Sequence, residues 1–252
     1  VSKTYSSADE AVADIGDGSS LAVGGFGLAG IPDVIIEAIA RGSATDLQVF
    51  SNNCGTDGHG LGLLLAQHRI SRVVASYVGE NKEFARQYLG GEVEVELTPQ
   101  GTLAEKLRAG GAGIPAFFTP AGVGTPISEG GLPWRYNSDG TVARESPEKE
   151  VREFDGKPYV LEESLKADYG LVHAAIGDTA GNLVFNKAAG NFNALAGMCG
   201  RTTIAQVEQL VEPGEIDPAH VHLPGIFVQR VVRTGPQTKH IEKRTVSERK
   251  GS

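Results

Sequence analysis

The chain carries only two cysteines in 252 residues, Cys54 and Cys199, and they stand far apart. A disulfide framework is therefore excluded, and a reducing, cytoplasmic setting is expected. Positive charge is also scarce. Against 31 Asp and Glu stand 23 Lys and Arg, a formal charge of −8, and no basic block exceeds the short run at residues 239–250. That balance argues against a nucleic-acid partner and against an anionic membrane surface. No apolar run approaches the roughly 18–20 residues of a membrane span, and no signal peptide is expected from the polar start of the chain. Aromatics are few, with nine Phe and six Tyr. Alongside 34 glycines, this points to many tight strand-to-helix turns rather than a β-sandwich. The 40% hydrophobic content is enough to bury a full core.

What is present alternates between two periodicities. Short apolar runs at residues 21–23, 47–50, 72–77, 93–97 and 116–119 read as strands, and helical segments separate them. The expected fold is α/β, an open and mainly parallel sheet with helices on both faces. Val93, Val95 and Leu97 alternate with glutamates, as in a strand with one wet face. Two Ser/Thr-x-x-Glu patterns, Ser7-Ala8-Asp9-Glu10 and Thr102-Leu103-Ala104-Glu105, read as capping boxes, so Gln100 falls in a strand-to-helix turn. Residues 122–150 break the pattern, rich in Gly and Pro around Trp134, and read as an insertion: a lid, an arm or a small hairpin. Asp155-Gly156 predicts a two-residue hairpin turn. One domain over residues 1–240 and a polar tail over 241–252 account for the whole chain.

The most pronounced local feature is Leu21-Ala22-Val23-Gly24-Gly25-Phe26-Gly27-Leu28-Ala29-Gly30-Ile31-Pro32. A strand runs into Gly24, Gly25, Gly27 and Gly30, and Pro32 then suits the first position of a helix. A bare-backbone turn facing a positive helix end makes a cradle for an anion or thioester; the alternative is a tight connection with no ligand. The same residues fit G-x-G-x-x-G, the dinucleotide fingerprint. That fingerprint needs an acid at the end of the second strand, about 20 positions on. Asp46 precedes the strand instead, and Ser51-Asn52-Asn53-Cys54-Gly55 follows it. An NAD-binding oxidoreductase is thus only the runner-up.

Ligands of open α/β sheets sit at the carboxyl ends of the strands. Those ends hold the glycine turn, Asn52, Asn53, Asn81, Gln100 and the Pro120-Ala121-Gly122 turn, with Glu80 as the one carboxylate. Neutral donors of this kind stabilise an oxyanion better than they relay protons, although any one of them alone reads equally well as a turn cap. Cys54 reads as buried packing rather than a nucleophile. His220-x-His222 has metal-like spacing without accompanying ligands, so no metal is expected.

Taken together, Asp17-Gly18, Gly24-Gly25-Phe26, Gly30-Ile31-Pro32, Ser51-Asn52-Asn53, Ser76-Tyr77-Val78-Gly79-Glu80-Asn81, Glu94 through Thr102, Arg108 through Phe118, Gly181-Asn182 and Asn191-Phe192-Asn193 resemble the A subunit of class I CoA-transferases. The resemblance spans nearly the whole chain and is nearest to the 3-oxoacid (succinyl-CoA:acetoacetate) type. It implies a ping-pong transfer of CoA from an acyl-CoA to a carboxylic acid, through a glutamyl-CoA thioester. The nucleophilic glutamate is implied on a partner B subunit, in an A2B2 assembly, because its Ser-Glu-Asn-Gly-like motif is missing here. For this chain the resemblance implies Gln100 as oxyanion donor, with Gly24, Gly25, Phe26, Gly27, Gly30, Asn52 and Asn53 lining the CoA channel. Coenzyme A enters as a substrate thioester and no permanent cofactor is implied. A non-catalytic acyl-CoA sensor is the remaining alternative. The sequence departs from the family pattern at Ala175 and Ile176, where Trp and Lys are usual, and at Gly190, where a basic residue is usual.

Overall fold

A computed structural model describes residues 2–79, 81–238 and 240. Glu80 and the tail at 241–252 lie outside the described residues. In chain order the first part comprises β1 (Thr4–Tyr5), α1 (Ala8–Ala11), β2 (Ser20–Val23), α2 (Asp33–Arg41), β3 (Leu47–Phe50), α3 (Gly62–Ala66), β4 (Ile70–Ala75), α4 (Lys82–Leu89), β5 (Glu94–Leu97) and α5 (Gln100–Gly111). Next come β6 (Ala116–Thr119), α6 (Pro126–Glu129), β7 (Pro133–Tyr136), β8 (Val142–Glu145), β9 (Val151–Phe154) and β10 (Lys157–Glu163). The chain then returns through β11 (Ala167–Asp178), β12 (Leu183–Val184), α7 (Asn193–Cys199), β13 (Gly200–Val211) and β14 (Arg230–Arg233).

The main sheet has the order β1-β14-β13-β11-β2-β3-β4-β5, with β12 paired on β11. Along that path every described pairing is parallel, and β12 alone is antiparallel. The expected parallel α/β fold is therefore what forms. Period-2 alternation sends neighbouring side chains of each central strand to opposite layers. Leu21 and Val23 join Val49 and Val73 under α2, α3 and α4, packed on Ile35, Ile36, Leu64, Leu65 and Phe84. Ala22 and Val74 face the other way, against Leu103 and Leu107 of α5 and Ala196 of α7. Burying each Leu or Ile in this way contributes about 1.5–3 kcal/mol. No helix among the described residues is long and apolar enough to cross a membrane.

Strands β2 to β5 progress to one side, whereas β11, β13 and β14 are added on the other. The order therefore switches between β2 and β11, and the glycine turn leaves β2 at that point.

Four local expectations change. Glu94 and Glu96 of β5 are 6% and 7% exposed, not wet; the β7–β8 hairpin of the insertion covers them, and Arg72, Lys106 and Arg144 neutralise them. Strand β6 leaves the parallel sheet and joins β10 and β9 in a separate antiparallel sheet, so residues 120–122 do not share the edge of the main sheet. Helix α5 begins at Gln100, capped by Pro99, and Thr102 Oγ1 has no hydrogen-bond partner among the described residues. Helix α2 runs from Asp33, as the sequence suggests, but Pro32 is its N-cap rather than its first helical residue. The hairpin turn holds as read, with Asp155 at φ 50° and Gly156 at φ 73°. Ser7 caps α1 through the Glu10 amide, while the Glu10 carboxylate turns to Ser6.

Candidate active site

Four parallel elements bring their carboxyl ends to one cleft of about 420 Å3. Phe26 and Gly27 follow β2, Asn52 and Asn53 follow β3, Ser76 and Tyr77 follow β4, and Gln100 opens α5 after β5. Phe26 and Tyr77 are about half exposed on the rim, and Gln100 is exposed as well. Asn52 and Asn53 lie deeper, 2% and 7% exposed. Most of the polar residues selected from the sequence thus converge. Asn81 is the exception: its side chain caps α4 at Phe84 N and reaches the Cys54 carbonyl.

A continuous set of hydrogen bonds joins the four elements. Gly27 N donates to Asn53 Oδ1 at 2.9 Å, and Asn52 Nδ2 donates to the same oxygen at 3.2 Å. Asn52 Oδ1 in turn accepts from Ser76 Oγ at 2.7 Å and from Gln100 Nε2 at 2.8 Å. In the sequence Ser76 belongs to the stretch at residues 76–81 without a role of its own; what marks it is its place at the end of β4, beside Asn52.

The glycine turn differs from the open cradle expected. Gly24 N bonds Leu171 O, Gly25 N bonds Asn191 Oδ1, and the Phe26 and Ala29 amides bond each other's carbonyls. The amides of Val34 and Ile35, at the start of α2, are taken by Gln206 Oε1 at 3.0 and 3.3 Å. A pyrophosphate seat of the dinucleotide kind is therefore filled by the protein's own side chain. Gly24 and Gly30 are needed for close packing: a Cβ on Gly24 would lie 2.1 Å from Asn193 Oδ1, and one on Gly30 would lie 2.6 Å from Ala189 O. The Asn191-Phe192-Asn193 segment is the clamp, since Asn191 and Asn193 bond Ala29 O and Gly30 O.

Behind the turn, at the β2–β11 switch, lies a smaller cavity of about 120 Å3, lined by Gly30, Ala175, Ala189 and His173 among others. Ala175 thus opens onto space, Ile176 sits in the register between Val184 and Gln209, and Gly190 closes the turn before the clamp. Burial pushes the Asp33 carboxyl beside this cavity up to about 6, with Glu37 adding to the effect and His240 opposing it. Cys54 is fully buried, and burial pushes its thiol far above the ordinary range. His222 Nδ1 accepts from Phe185 N and His220 faces Asp217, so the two histidines do not converge.

Residues 5–234 match the model of the coenzyme A transferase family. The chain belongs to that family. It is 64% identical to the A subunit of the probable succinyl-CoA:3-ketoacid coenzyme A transferase of Mycobacterium bovis, over 97% of this chain and 98% of that one. Identity to the A subunit of the corresponding probable transferase of Bacillus subtilis is 53%, over 99% and 97% of the two chains. Among solved structures, an acyl-CoA transferase of Escherichia coli O157:H7, in a thioester complex with CoA, superposes with a TM-score of 0.78 at 22% identity. That likeness covers 94% of this chain and 48% of the other, so the chain spans about half that enzyme. Glutaconate coenzyme A-transferase of Acidaminococcus fermentans gives 0.74 at 19% identity, over 93% and 76%. At those identities the two structures bear on the fold alone. The resemblance to CoA-transferase A subunits, and with it the assignment as part of an enzyme, holds.

Proposed function

We propose that this chain is the A subunit of a succinyl-CoA:3-oxoacid CoA-transferase, assembled as A2B2, whose B subunit supplies the nucleophilic glutamate. That carboxylate attacks the acyl-CoA carbonyl, whose oxygen becomes an oxyanion; the tetrahedral adduct then collapses, breaking the C–S bond, so that CoA thiolate leaves and a mixed anhydride remains. The thiolate then attacks the glutamyl carbonyl, giving the enzyme thioester and releasing the first acid. The acceptor acid, acetoacetate in this reading, repeats the two steps in reverse and departs as its CoA thioester. Gln100 donates from Nε2 to the oxyanion at each collapse. Phe26, Gly27 and the glycine turn form one wall of the thioester channel. A cytoplasmic setting is consistent with two buried, unpaired thiols at Cys54 and Cys199.

The observation that carries this reading is the cleft itself. It is open, it lies at the carboxyl ends of the strands, and an exposed carboxamide borders it, fixed by one bond at 2.8 Å. A preorganised donor aimed at developing charge is worth about 10²–10³ in rate. Gln100→Ala in the co-expressed pair should therefore lower kcat by that order, with a smaller change in KM and an unchanged fold. Wild-type constants in the variant would refute the role. Profiling of acyl donors and acceptors with the same pair tests the substrate assignment, and succinyl-CoA with acetoacetate should be turned over fastest.

A further inference from the structure

We infer that Ser76, Asn52 and Asn53 form a positioning relay that sets the orientation of the Gln100 carboxamide, starting from the backbone amide of Gly27. The inference rests on the proposed role of Gln100. A carboxamide presents an oxygen at one end and donors at the other, and which end faces a neighbour is decided by the neighbour's chemistry. Most side-chain partners can adapt; a backbone N–H cannot, because it only donates.

Gly27 N–H points at the Asn53 side chain at 2.9 Å, so the atom there is the oxygen. The other end of that carboxamide, Nδ2, lies 3.5 Å from the Gly55 carbonyl, which only accepts. Asn53 is thus fixed from both ends by main-chain groups. Its oxygen next receives Asn52 at 3.2 Å, and an acceptor there demands the Nδ2 of Asn52. Asn52 Oδ1 is then turned toward β4 and α5, where it has two lone pairs to offer. Ser76 Oγ–H takes one at 2.7 Å and Gln100 Nε2 the other at 2.8 Å. Gln100 must present its nitrogen, not its oxygen, to this point. One N–H is consumed by Asn52, and the second N–H of the same nitrogen is left for the cleft. A flipped Gln100 would set two oxygens against each other and present an acceptor where a donor is wanted.

Asn52 and Asn53 therefore act through Gln100, and their near-complete burial fits that role better than contact with CoA. Ser76 is the added member. Its backbone N is tied to Asn52 O at 3.1 Å, so the hydroxyl is carried on the same β3–β4 register that places Asn52. With the Ser76 proton on one lone pair, Asn52 Oδ1 is held still for Gln100 on the other.

The test is a double-mutant cycle on the complete A/B enzyme, with circular dichroism and melting temperature confirming that each variant is folded. Loss of one neutral hydrogen bond corresponds to about a five- to tenfold effect. Ser76→Ala should lower kcat by that factor with KM unchanged, and Ser76→Thr, which keeps the hydroxyl, should restore most of it. In a Gln100→Ala background Ser76→Ala should have no further effect on kcat, because nothing remains for the relay to orient. If Gln100→Ala is impaired but Ser76→Ala costs the same factor in both backgrounds, or Thr fails to rescue, the relay is overturned and the role of Gln100 stands. If Gln100→Ala itself turns over at the wild-type rate, both fall together.

Discussion

Lys106 sits on the buried side of α5, 5% exposed, with its ammonium 3.2 Å from Glu96 and 3.1 Å from Glu162. This contact ties the parallel sheet to the antiparallel sheet that carries β10. Burial lowers the pKa of the Lys106 amine, but Glu96 and Glu162 outweigh it and hold it above the ordinary 10.5. Burial likewise works against the Glu96 carboxylate, and Lys106 and Arg72 outweigh it, holding its pKa below 4.5. Lys106→Met preserves the volume and takes one cationic partner from each of two buried carboxylates. Removing one member of a buried ion pair typically costs ~3–5 kcal/mol. Here Glu162 keeps Lys149 at 2.7 Å and Glu96 keeps Arg72 at 2.9 Å, so the lower end applies. We expect a loss of about 3 kcal/mol, which for a chain of this size is roughly 6–12 °C in Tm. The signs fix the pH dependence. The depressed carboxylate contributes stability above about 4.5, lost as pH falls through its folded value; the raised amine contributes below about 10.5, lost as pH rises through its own. Urea titrations of wild type and variant should therefore differ by a constant amount between about pH 5 and pH 10 and converge in acid. A difference below about 1 kcal/mol, the range of exposed pairs, or one that persists unchanged at low pH, would refute the reasoning.

Alanine ordinarily improves a helix over glycine by ~0.5–1 kcal/mol, and α5 offers both signs of that exchange. Gly101→Ala meets nothing within 4 Å and should be neutral or slightly stabilising, whereas the Cβ of Gly110→Ala would fall 1.6 Å from Leu165 O and should cost more than about 2 kcal/mol by shift of the urea midpoint. Asp33 has a raised folded pKa of about 6, so its penalty grows as pH rises from about 4 to about 6 and is then constant. Asp33→Asn should raise stability at pH 7 by about 1–2 kcal/mol, solvent screening part of the effect, and leave it unchanged near pH 4; calorimetry at the two values checks it.

The parallel sheet was legible because hydrophobic period and turn glycines agreed along residues 20–111, and agreement between levels is what specifies a fold. The cleft at the strand ends followed from the same logic, since βα connections of a parallel sheet must fall on one edge. The sequence misled where a charge had an unseen partner. Glu94 and Glu96 alternate like a wet face, yet they are dry because Arg144 arrives on Glu94 from a hairpin about fifty positions later and Lys106 reaches Glu96 from α5. The glycine turn misled in the opposite sense. Its amides look free in the sequence, but Asn191, Asn53 and Gln206, all distant in the chain, occupy those of Gly25, Gly27 and the first turn of α2. Ser76 reads in the sequence only as part of the stretch at residues 76–81, with no role assigned, because the role proposed for it depends on the register of β4 on β3.

The outermost pairing of the main sheet has a consequence for how the molecule is made. Strand β1 is the edge strand, and its neighbour β14 is the last strand among the described residues. Lys3 Nζ also finds its seat on Gly225 O, 222 positions downstream. At a synthesis rate of ~5–20 residues per second, that seat is not available for roughly 10–45 s after Lys3 is made. Strands β2 to β5 can pair in the meantime, since each needs only a neighbour already present. The β1 segment cannot, and neither can the β2 edge that awaits β11. A nascent chain is therefore left with an unpaired parallel edge at β2, the kind of surface that recruits a foreign strand. On a ribosome the hazard in this protein lies in its middle, where β2 waits through the whole insertion for β11 to close the sheet.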